Sequence, residues 1–261
     1  KAESVPQIGL IYSTHALYRI NKKLFASYSG EVDALKGNLQ CLLDSQQAVD
    51  IVSEHHLTGG KINEFPLLVY PEWEYVEPGF KAELLDYVKN GGNLLIIGPK
   101  AAANFEKELG VTLNGEASQE YDELEHDGIL FQIVSQSQEA VLGKSTRRFG
   151  TIYTDWRKTK PGIPAASIRS YGKGKIAAVY IGLGERYIKS TGTVPRDFME
   201  SLVDELFPDP VVDIQGTHFV DVTLMRKDGT LMVNLVNTSG PHADDEIYIY
   251  DTVPPVGPVT V

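Results

Sequence analysis

Short apolar runs alternate with amphipathic segments along the first part of the chain. Each run has the length of a strand, and the segments between the runs carry apolar residues at helical spacing. Because continuous apolar strands that alternate with helices are typical of βαβ units, this pattern predicts a buried parallel sheet flanked by helices. The predicted strands cover residues 7–12, 49–52, 65–70 and 93–98, and the predicted helices cover residues 31–47, 80–88 and 101–109.

The pattern weakens between about residues 111 and 170 and then returns. A polar stretch at residues 115–127 separates strand-like pieces at 129–134 and 165–171, which indicates an insertion of extra strands or loops. A glycine-rich turn at 171–175 then leads into a strand at 176–181, and a helix at 196–207 ends before Pro208. Proline cannot continue a helix, because it lacks the backbone N–H and clashes with the preceding turn.

Beyond Pro210 the apolar period changes to two. Asp228-Gly229 lies between two alternating runs, which is a strong hairpin signal, and residues 247–250 supply a third predicted strand. Three strands alone are marginally stable, so this piece should pack on the α/β domain or belong to a truncated sandwich. The chain is therefore predicted as an α/β domain at residues 1–208, with an insertion at about 111–170, and a small antiparallel β-sandwich-like segment at 209–261.

Composition and charge exclude several partners. The net charge of −11 argues against a nucleic-acid partner, since phosphates would be repelled, and the basic residues at 144–160 fit a solvated loop. No apolar run approaches the roughly 18 residues that span a bilayer, so no membrane partner is expected. Cys41 alone cannot form an internal disulfide, which suits a cytoplasmic, periplasmic or extracellular protein alike. The abrupt ends suggest a part excised from a longer protein.

The order of these elements resembles the class I glutamine-amidotransferase-like fold. More narrowly, the segments at residues 49–52, 67–71 and 91–96 resemble the version that serves as the trimerisation domain of family 42 β-galactosidases and related bacterial glycoside hydrolases. Residues 231–240 are similar to the small β-domain that follows it. The resemblance covers residues 7 to about 109 well, residues from 173 onward moderately, and the middle not at all. It implies a flavodoxin-like sheet, a homo-oligomer, a covalently linked N-terminal catalytic domain and no cofactor.

The residues that would make an amidotransferase are missing. Enzymes of this fold carry a Cys nucleophile on a sharp strand-to-helix turn, where the helix N-terminus lowers its pKa. Here that turn, at residues 97–100, has no Cys, Ser or Thr, and no His follows the late strand. Cys41 lies in a predicted helix beside Leu42, which is typical of a small buried hydrophobe. No catalytic residue is therefore assigned.

Several charged and aromatic residues should meet at the carboxyl edge of the sheet, where open α/β sheets bind ligands. Aromatic rings with carboxylates and an arginine suit carbohydrate, but the same residues are enriched at protein interfaces. The interface is the favoured interpretation, and carbohydrate is the alternative ligand. The candidates are His15, Tyr18 and Arg19 after the first strand, Glu72 and Trp73 after the third, Lys100 after the fourth, and Glu185, Arg186 and Tyr187 after the late strand.

No metal site is expected. His55 and His56 are adjacent and would point apart in a strand, and the polar loop at residues 242–246 lacks a second cluster. Glu72 and Glu74 could match the carboxyl spacing of a glycosidase, but so could any acidic loop in so acidic a chain.

The leading hypothesis for function is a non-catalytic accessory and oligomerisation region of a glycoside hydrolase involved in carbohydrate metabolism. One rival is a stand-alone hydrolase on a sugar-related substrate that uses Glu72, His15 or Glu185 as acid or base. The other is a carbohydrate-binding module in which Trp73 and Tyr18 stack on sugar rings.

Overall fold

The computed structural model describes residues 1–20, 32–240 and 252–261. The strands are β1 (Glu3–Ser4), β2 (Ile8–Tyr12), β3 (Val49–Ser53), β4 (Leu67–Pro71), β5 (Asn93–Ile97), β6 (Val111–His126), β7 (Ile129–Leu142), β8 (Arg147–Tyr153), β9 (Ile163–Tyr171), β10 (Gly174–Val179), β11 (Val220–Lys227) and β12 (Thr230–Asn237). The helices are α1 (Thr14–Ile20), α2 (Asp33–Asp44), α3 (Pro78–Asn90), α4 (Pro99–Ala103), α5 (Glu106–Leu109), α6 (Leu183–Lys189) and α7 (Thr193–Leu206). None of the helices in these three ranges is long and apolar enough to cross a membrane.

Most described strands belong to one mixed sheet with the order β3-β2-β4-β5-β10-β9-β8-β6-β7. Strands β3, β2, β4, β5 and β10 are parallel to one another, and β9, β8, β6 and β7 continue the sheet in antiparallel pairs. The predicted α/β class with a separate small antiparallel sheet is confirmed. The sheet is not parallel throughout, however, because the insertion extends it with antiparallel strands.

The parallel strands form because their side chains are apolar on both faces. Every residue of β4 is buried, and residues 94–97 of β5 are fully buried as well. Helix α3 is bounded by local signals in its sequence. Its N-cap residue Glu77 accepts a hydrogen bond from the N–H of Phe80 at 2.9 Å, and Gly91 ends the helix with φ 121°. Such a positive φ favours glycine, so Gly91 defines the start of the turn into β5.

The polar stretch at residues 115–127 lies almost entirely within strand β6 and is not a loop. Strand β6 pairs with β7 along most of its length, but residues 114–121 are nearly all exposed. A strand that is exposed to solvent on both faces needs no alternation of apolar and polar residues, so its sequence lacks the pattern by which strands are predicted. The hydrophobic pattern therefore missed this strand, although it found parts of β7 and β9.

Two segments that directly follow predicted strands are short helices. Residues 14–19 form most of α1, and residues 183–187 form the start of α6. The helix expected at 101–109 is instead divided into α4 and α5 around Asn104. Each of these helices spans one or two turns, which is too short for an apolar period to be recognised.

The small sheet contains β1, β11 and β12. Its hairpin turns at Asp228 and Gly229, which have φ values of 49° and 81° as a type I′ turn requires. Val222 and Leu224 of β11 are buried together with Ile214, and Val5 and Ala48 pack against them. The third described strand comes from the N-terminal segment, whereas the strand expected at residues 247–250 and the loop at 242–246 lie outside the described residues.

Helices α2 and α6 approach closely because two glycines face each other. A Cβ atom on Gly37 would lie 1.9 Å from the carbonyl oxygen of Gly184, and a Cβ on Gly184 would lie 2.4 Å from the carbonyl oxygen of Ala34. Both obstacles are backbone atoms, so a rotamer change cannot relieve them. The two helices can pack at this distance only with glycine at both positions.

We expect Gly37→Ala to lower the free energy of unfolding by about 1–3 kcal/mol, as overpacking of a close contact does, even though alanine favours helix formation. Urea denaturation measures this change. Lys36→Ala, at an exposed position of the same helix, is the control and should change the stability by less than about 0.5 kcal/mol. An unchanged unfolding midpoint for Gly37→Ala would show that the helices do not pack this closely.

Candidate functional site

The candidate site lies where the parallel strands end. Strand β2 pairs with β3 on one side and with β4 on the other, so the connections from these strands leave in opposite directions. A crevice opens at such a switch point, outside the carboxyl ends of the strands. The residues that follow β2, β4, β5 and β10 therefore meet at one edge of the sheet.

Glu72 is the central residue of this edge. It follows β4 directly with φ 51°, an uncommon conformation for a residue other than glycine. Its Oε1 accepts hydrogen bonds from the Gly184 N–H at 2.6 Å, the Asn38 amide at 3.0 Å and the Glu185 N–H at 3.3 Å. One carboxylate thus connects the end of β4 to both α2 and α6.

The pKa of Glu72 is raised from 4.5 to about 7. Burial is the main cause, since it disfavours the charged carboxylate, and the nearby Glu185 carboxylate acts in the same direction. The three hydrogen bonds oppose the shift without cancelling it. A carboxyl group with this pKa can donate or accept a proton near neutral pH.

The Glu72 side chain packs against the turn after β5, where the resemblance to amidotransferases predicts the position of a nucleophile. Gly98 has φ 92°, and a Cβ atom at this position would lie 2.8 Å from the Cγ of Glu72. A cysteine or serine here would collide with that carbon. Cys41 lies elsewhere, fully buried in α2, with its Sγ 3.8 Å from the carbonyl oxygen of Pro195. Burial raises the pKa of its thiol, which keeps the thiol protonated.

A cavity of about 320 Å³ lies between the ends of β4, β5 and β10. We call it the Glu72 cavity; its wall includes Glu72, Lys100, Gln136, Glu185 and Lys189. The Lys100 ammonium pairs with Glu74 at 2.6 Å, and the Lys189 ammonium pairs with Glu185 at 2.8 Å. The structure therefore brings three of the predicted residues, Glu72, Lys100 and Glu185, to one cavity.

Trp73 and Arg19 border a second cavity of about 430 Å³, between α1 and the segment after β4. The indole of Trp73 is only 4% exposed, and its Nε1 donates a hydrogen bond to the Ile11 carbonyl oxygen at 2.8 Å. The Arg19 guanidinium lies 3.5 Å from the centre of the Tyr75 ring. Because the indole packs into the core of this chain, it offers no ring face for a sugar or a partner.

Three other predicted residues lie outside the Glu72 cavity. Tyr187 is buried, and its hydroxyl donates a hydrogen bond to Asp44 Oδ2 at 2.6 Å. The Arg186 guanidinium lies 5.8 Å from the centre of the Phe131 ring. Tyr18 is 73% exposed on α1, so it remains available to a ligand or a partner.

His15 contacts a residue that the sequence reasoning did not single out, the buried Glu54. His15 Nδ1 lies 2.7 Å from Glu54 Oε1. Burial alone would raise the pKa of Glu54, but hydrogen bonds from the His15 backbone and from the side chains of Ser13, Thr14 and His15 lower it overall. The signal for Glu54 was its place directly after β3, at the same edge as His15. His55 and His56 lie in a 3₁₀ turn, not in the expected strand.

We expect the stability of the wild-type protein to depend on pH through Glu72. Between pH 4.5 and pH 7 the folded chain retains a proton that the unfolded chain loses, so rising pH lowers the free energy of unfolding. The loss is at most about 3.5 kcal/mol, at about 1.4 kcal/mol per pKa unit, and it ends above the folded-state pKa. Glu72→Gln cannot ionise and should lack this component.

Urea denaturation of both proteins across this pH range measures the difference, because the other carboxyl groups contribute equally to each. Glu106→Gln, a substitution of a carboxylate at the start of α5, is the control and should keep the wild-type pH dependence. Parallel pH curves for wild type and Glu72→Gln would contradict the raised pKa.

Comparisons with known proteins relate the fold to glycoside hydrolases. No protein-family model matches the sequence, and no curated protein does. Among solved structures, α-L-fucosidase isoenzyme 2 from Paenibacillus thiaminolyticus aligns over 99% of this chain and 42% of its own, at 15% identity and a TM-score of 0.74. A β-galactosidase from Bacillus circulans aligns over 92% of this chain and 36% of its own, at 14% identity and a TM-score of 0.66.

A cytoplasmic protein from Salmonella typhimurium aligns over 77% of this chain and 99% of its own, at 14% identity and a TM-score of 0.51. The chain thus spans 42% or less of the fucosidase and the β-galactosidase that it matches. At these identities the similarity shows the fold alone: this chain has the fold of one segment of larger glycoside hydrolase chains.

Proposed function

We propose that this chain is a non-catalytic accessory and oligomerisation region of a glycoside hydrolase involved in carbohydrate metabolism. The observation that carries the proposal is the packing of Glu72 against Gly98, which leaves no room for a side chain at position 98 of a turn that already lacks Cys, Ser and Thr. The parallel strands also follow the order second-first-third-fourth-fifth, which is that of flavodoxin-like sheets, and this supports the amidotransferase-like assignment.

The alignment with only part of each larger hydrolase chain supports a covalently linked catalytic domain, which we place N-terminal to residue 1. In this arrangement the present chain contributes a surface for assembly. Its carboxyl edge is the part that we assign to the contact with a second copy of the chain. Tyr18 is the predicted aromatic residue that remains exposed there, and a large exposed ring is a common anchor of interfaces.

Sedimentation velocity and glycosidase assays test the proposal together. We expect the purified chain to sediment as a species of larger mass than the 28.8 kDa monomer. It should release no product from aryl β-galactosides, aryl α-fucosides or glutamine. Tyr18→Ala should weaken the association at least about tenfold, the cost of about 1.4 kcal/mol at an interface anchor. Tyr121→Ala is the matched control, since Tyr121 is 69% exposed on β6, and it should leave the association unchanged.

A strictly monomeric chain, or equal weakening by both tyrosine substitutions, would refute the assembly role at this edge. Turnover of any of these substrates above the blank would refute the non-catalytic role.

One observation favours a second candidate, a stand-alone hydrolase on a sugar-related substrate. Glu72 combines a pKa of about 7 with a place on the wall of a cavity, as a general acid or base requires. In that case Glu72→Gln would abolish a measurable turnover, whereas the accessory role predicts no turnover to abolish.

A further inference from the structure

Three potential metal ligands meet beside the sheet edge, apart from the Glu72 cavity. His15 follows β2, and Glu54 and His55 follow β3. Because these strands are parallel neighbours in the register Tyr12↔Ser53, the two segments leave the sheet side by side. One ligand atom from each of the three residues lies within 4.8 Å of the other two.

Glu54 is the fixed member of this group. Its side chain is only 3% exposed. Its Oε2 accepts a hydrogen bond from the Ser13 hydroxyl at 2.9 Å, and its Oε1 accepts from the Thr14 hydroxyl and the His15 N–H, each at 2.9 Å. The carboxylate is therefore held in one orientation, in contact with the His15 imidazole.

The hydrogen bonds also select the tautomer of each ring. His15 Nδ1 donates to Glu54 Oε1 at 2.7 Å, which leaves the lone pair of its Nε2 free. Since the Thr14 hydroxyl donates its proton to Glu54, it can only accept from His55 Nε2, which lies 2.8 Å away. The lone pair of His55 Nδ1 is then free as well. Each neutral ring keeps one nitrogen that can bind a metal ion.

The spacing of the rings fits a shared ion. Two imidazoles bound to one tetrahedral zinc at about 2.1 Å have their centroids about 5 Å apart. The centroids of His15 and His55 lie 5.3 Å apart. A ligating histidine that donates its second ring N–H to a carboxylate is also the usual arrangement around protein-bound zinc.

We propose that His15 and His55 bind one divalent transition-metal ion, with Glu54 holding the His15 ring in place from behind. Both histidines are exposed, so water or a ligand from a partner completes the coordination. Neutral imidazole is a ligand that zinc, copper and nickel share, so the site is assigned to this class of ion and zinc serves as the probe.

A second group, Asp197, Glu200 and His218, has similarly close ligand atoms. There the Arg196 guanidinium pairs with Asp197 Oδ1 at 2.8 Å and competes with a cation for that carboxylate. This group is therefore the weaker candidate, and it provides an internal control.

Calorimetric titration of the chelator-treated chain with zinc chloride tests the proposal. We expect one zinc per chain, with affinity lowered at least about tenfold by His15→Ala and by His55→Ala. Glu54→Gln should weaken binding by about 10–100-fold, as the loss of a carboxylate behind a ligating histidine does. His56→Ala, which removes the neighbouring exposed histidine, and His218→Ala, which removes the second group, should bind zinc as the wild type does.

Circular dichroism of each variant verifies that it is folded. No zinc uptake by the wild type would overturn the proposal. Binding that survives both His15→Ala and His55→Ala, or that is lost in His56→Ala or His218→Ala instead, would overturn it equally.

Discussion

The hydrogen bonds of the Glu72 carboxylate organise the carboxyl edge on which the rest of the site depends. Its Oε1 accepts from the Gly184 N–H and from the Asn38 amide, and so joins β4 to two helices. The same side chain packs on Gly98 in the turn after β5 and leaves no room there for a larger residue. Holding a carboxyl group there has an electrostatic cost, which appears as the raised pKa of Glu72.

The residues at the carboxyl edge divide into those that are packed against the protein and those that remain exposed. Gly98 in the turn after β5 has no room for a side chain, and the Trp73 indole packs in the core and cannot stack on a ligand. Tyr18 remains exposed on α1, and the rings of His15 and His55 lie 5.3 Å apart, with the His15 ring bonded to the buried Glu54 carboxylate. Tyr18, His15 and His55 are therefore among the side chains that remain exposed at this edge.

The sequence predicts the apolar parallel strands well, because a strand such as β4 that is buried on both faces must be continuously apolar. It predicts β6 poorly, since residues 114–121 are mostly exposed to solvent and show no alternation of apolar and polar side chains. The order of residues along the chain was enough to predict that His15, Glu72 and Glu185 lie at one edge of the sheet. It could not reveal that Trp73 is buried, or that Glu54 bonds His15 while the Thr14 hydroxyl links Glu54 to His55, because both depend on the side-by-side packing of β2 and its neighbours.

A double-mutant cycle between Glu72 and Gly98 tests most directly whether the Glu72 side chain packs on the turn after β5. Gly98→Ala introduces a Cβ whose nearest neighbour is Glu72 Cγ, at 2.8 Å, and it also strains the positive φ of this residue. Glu72→Ala removes the Cγ but not the strain. We predict that Gly98→Ala destabilises the wild type by at least about 1 kcal/mol more than it destabilises Glu72→Ala. Equal destabilisation in the two backgrounds would contradict this account.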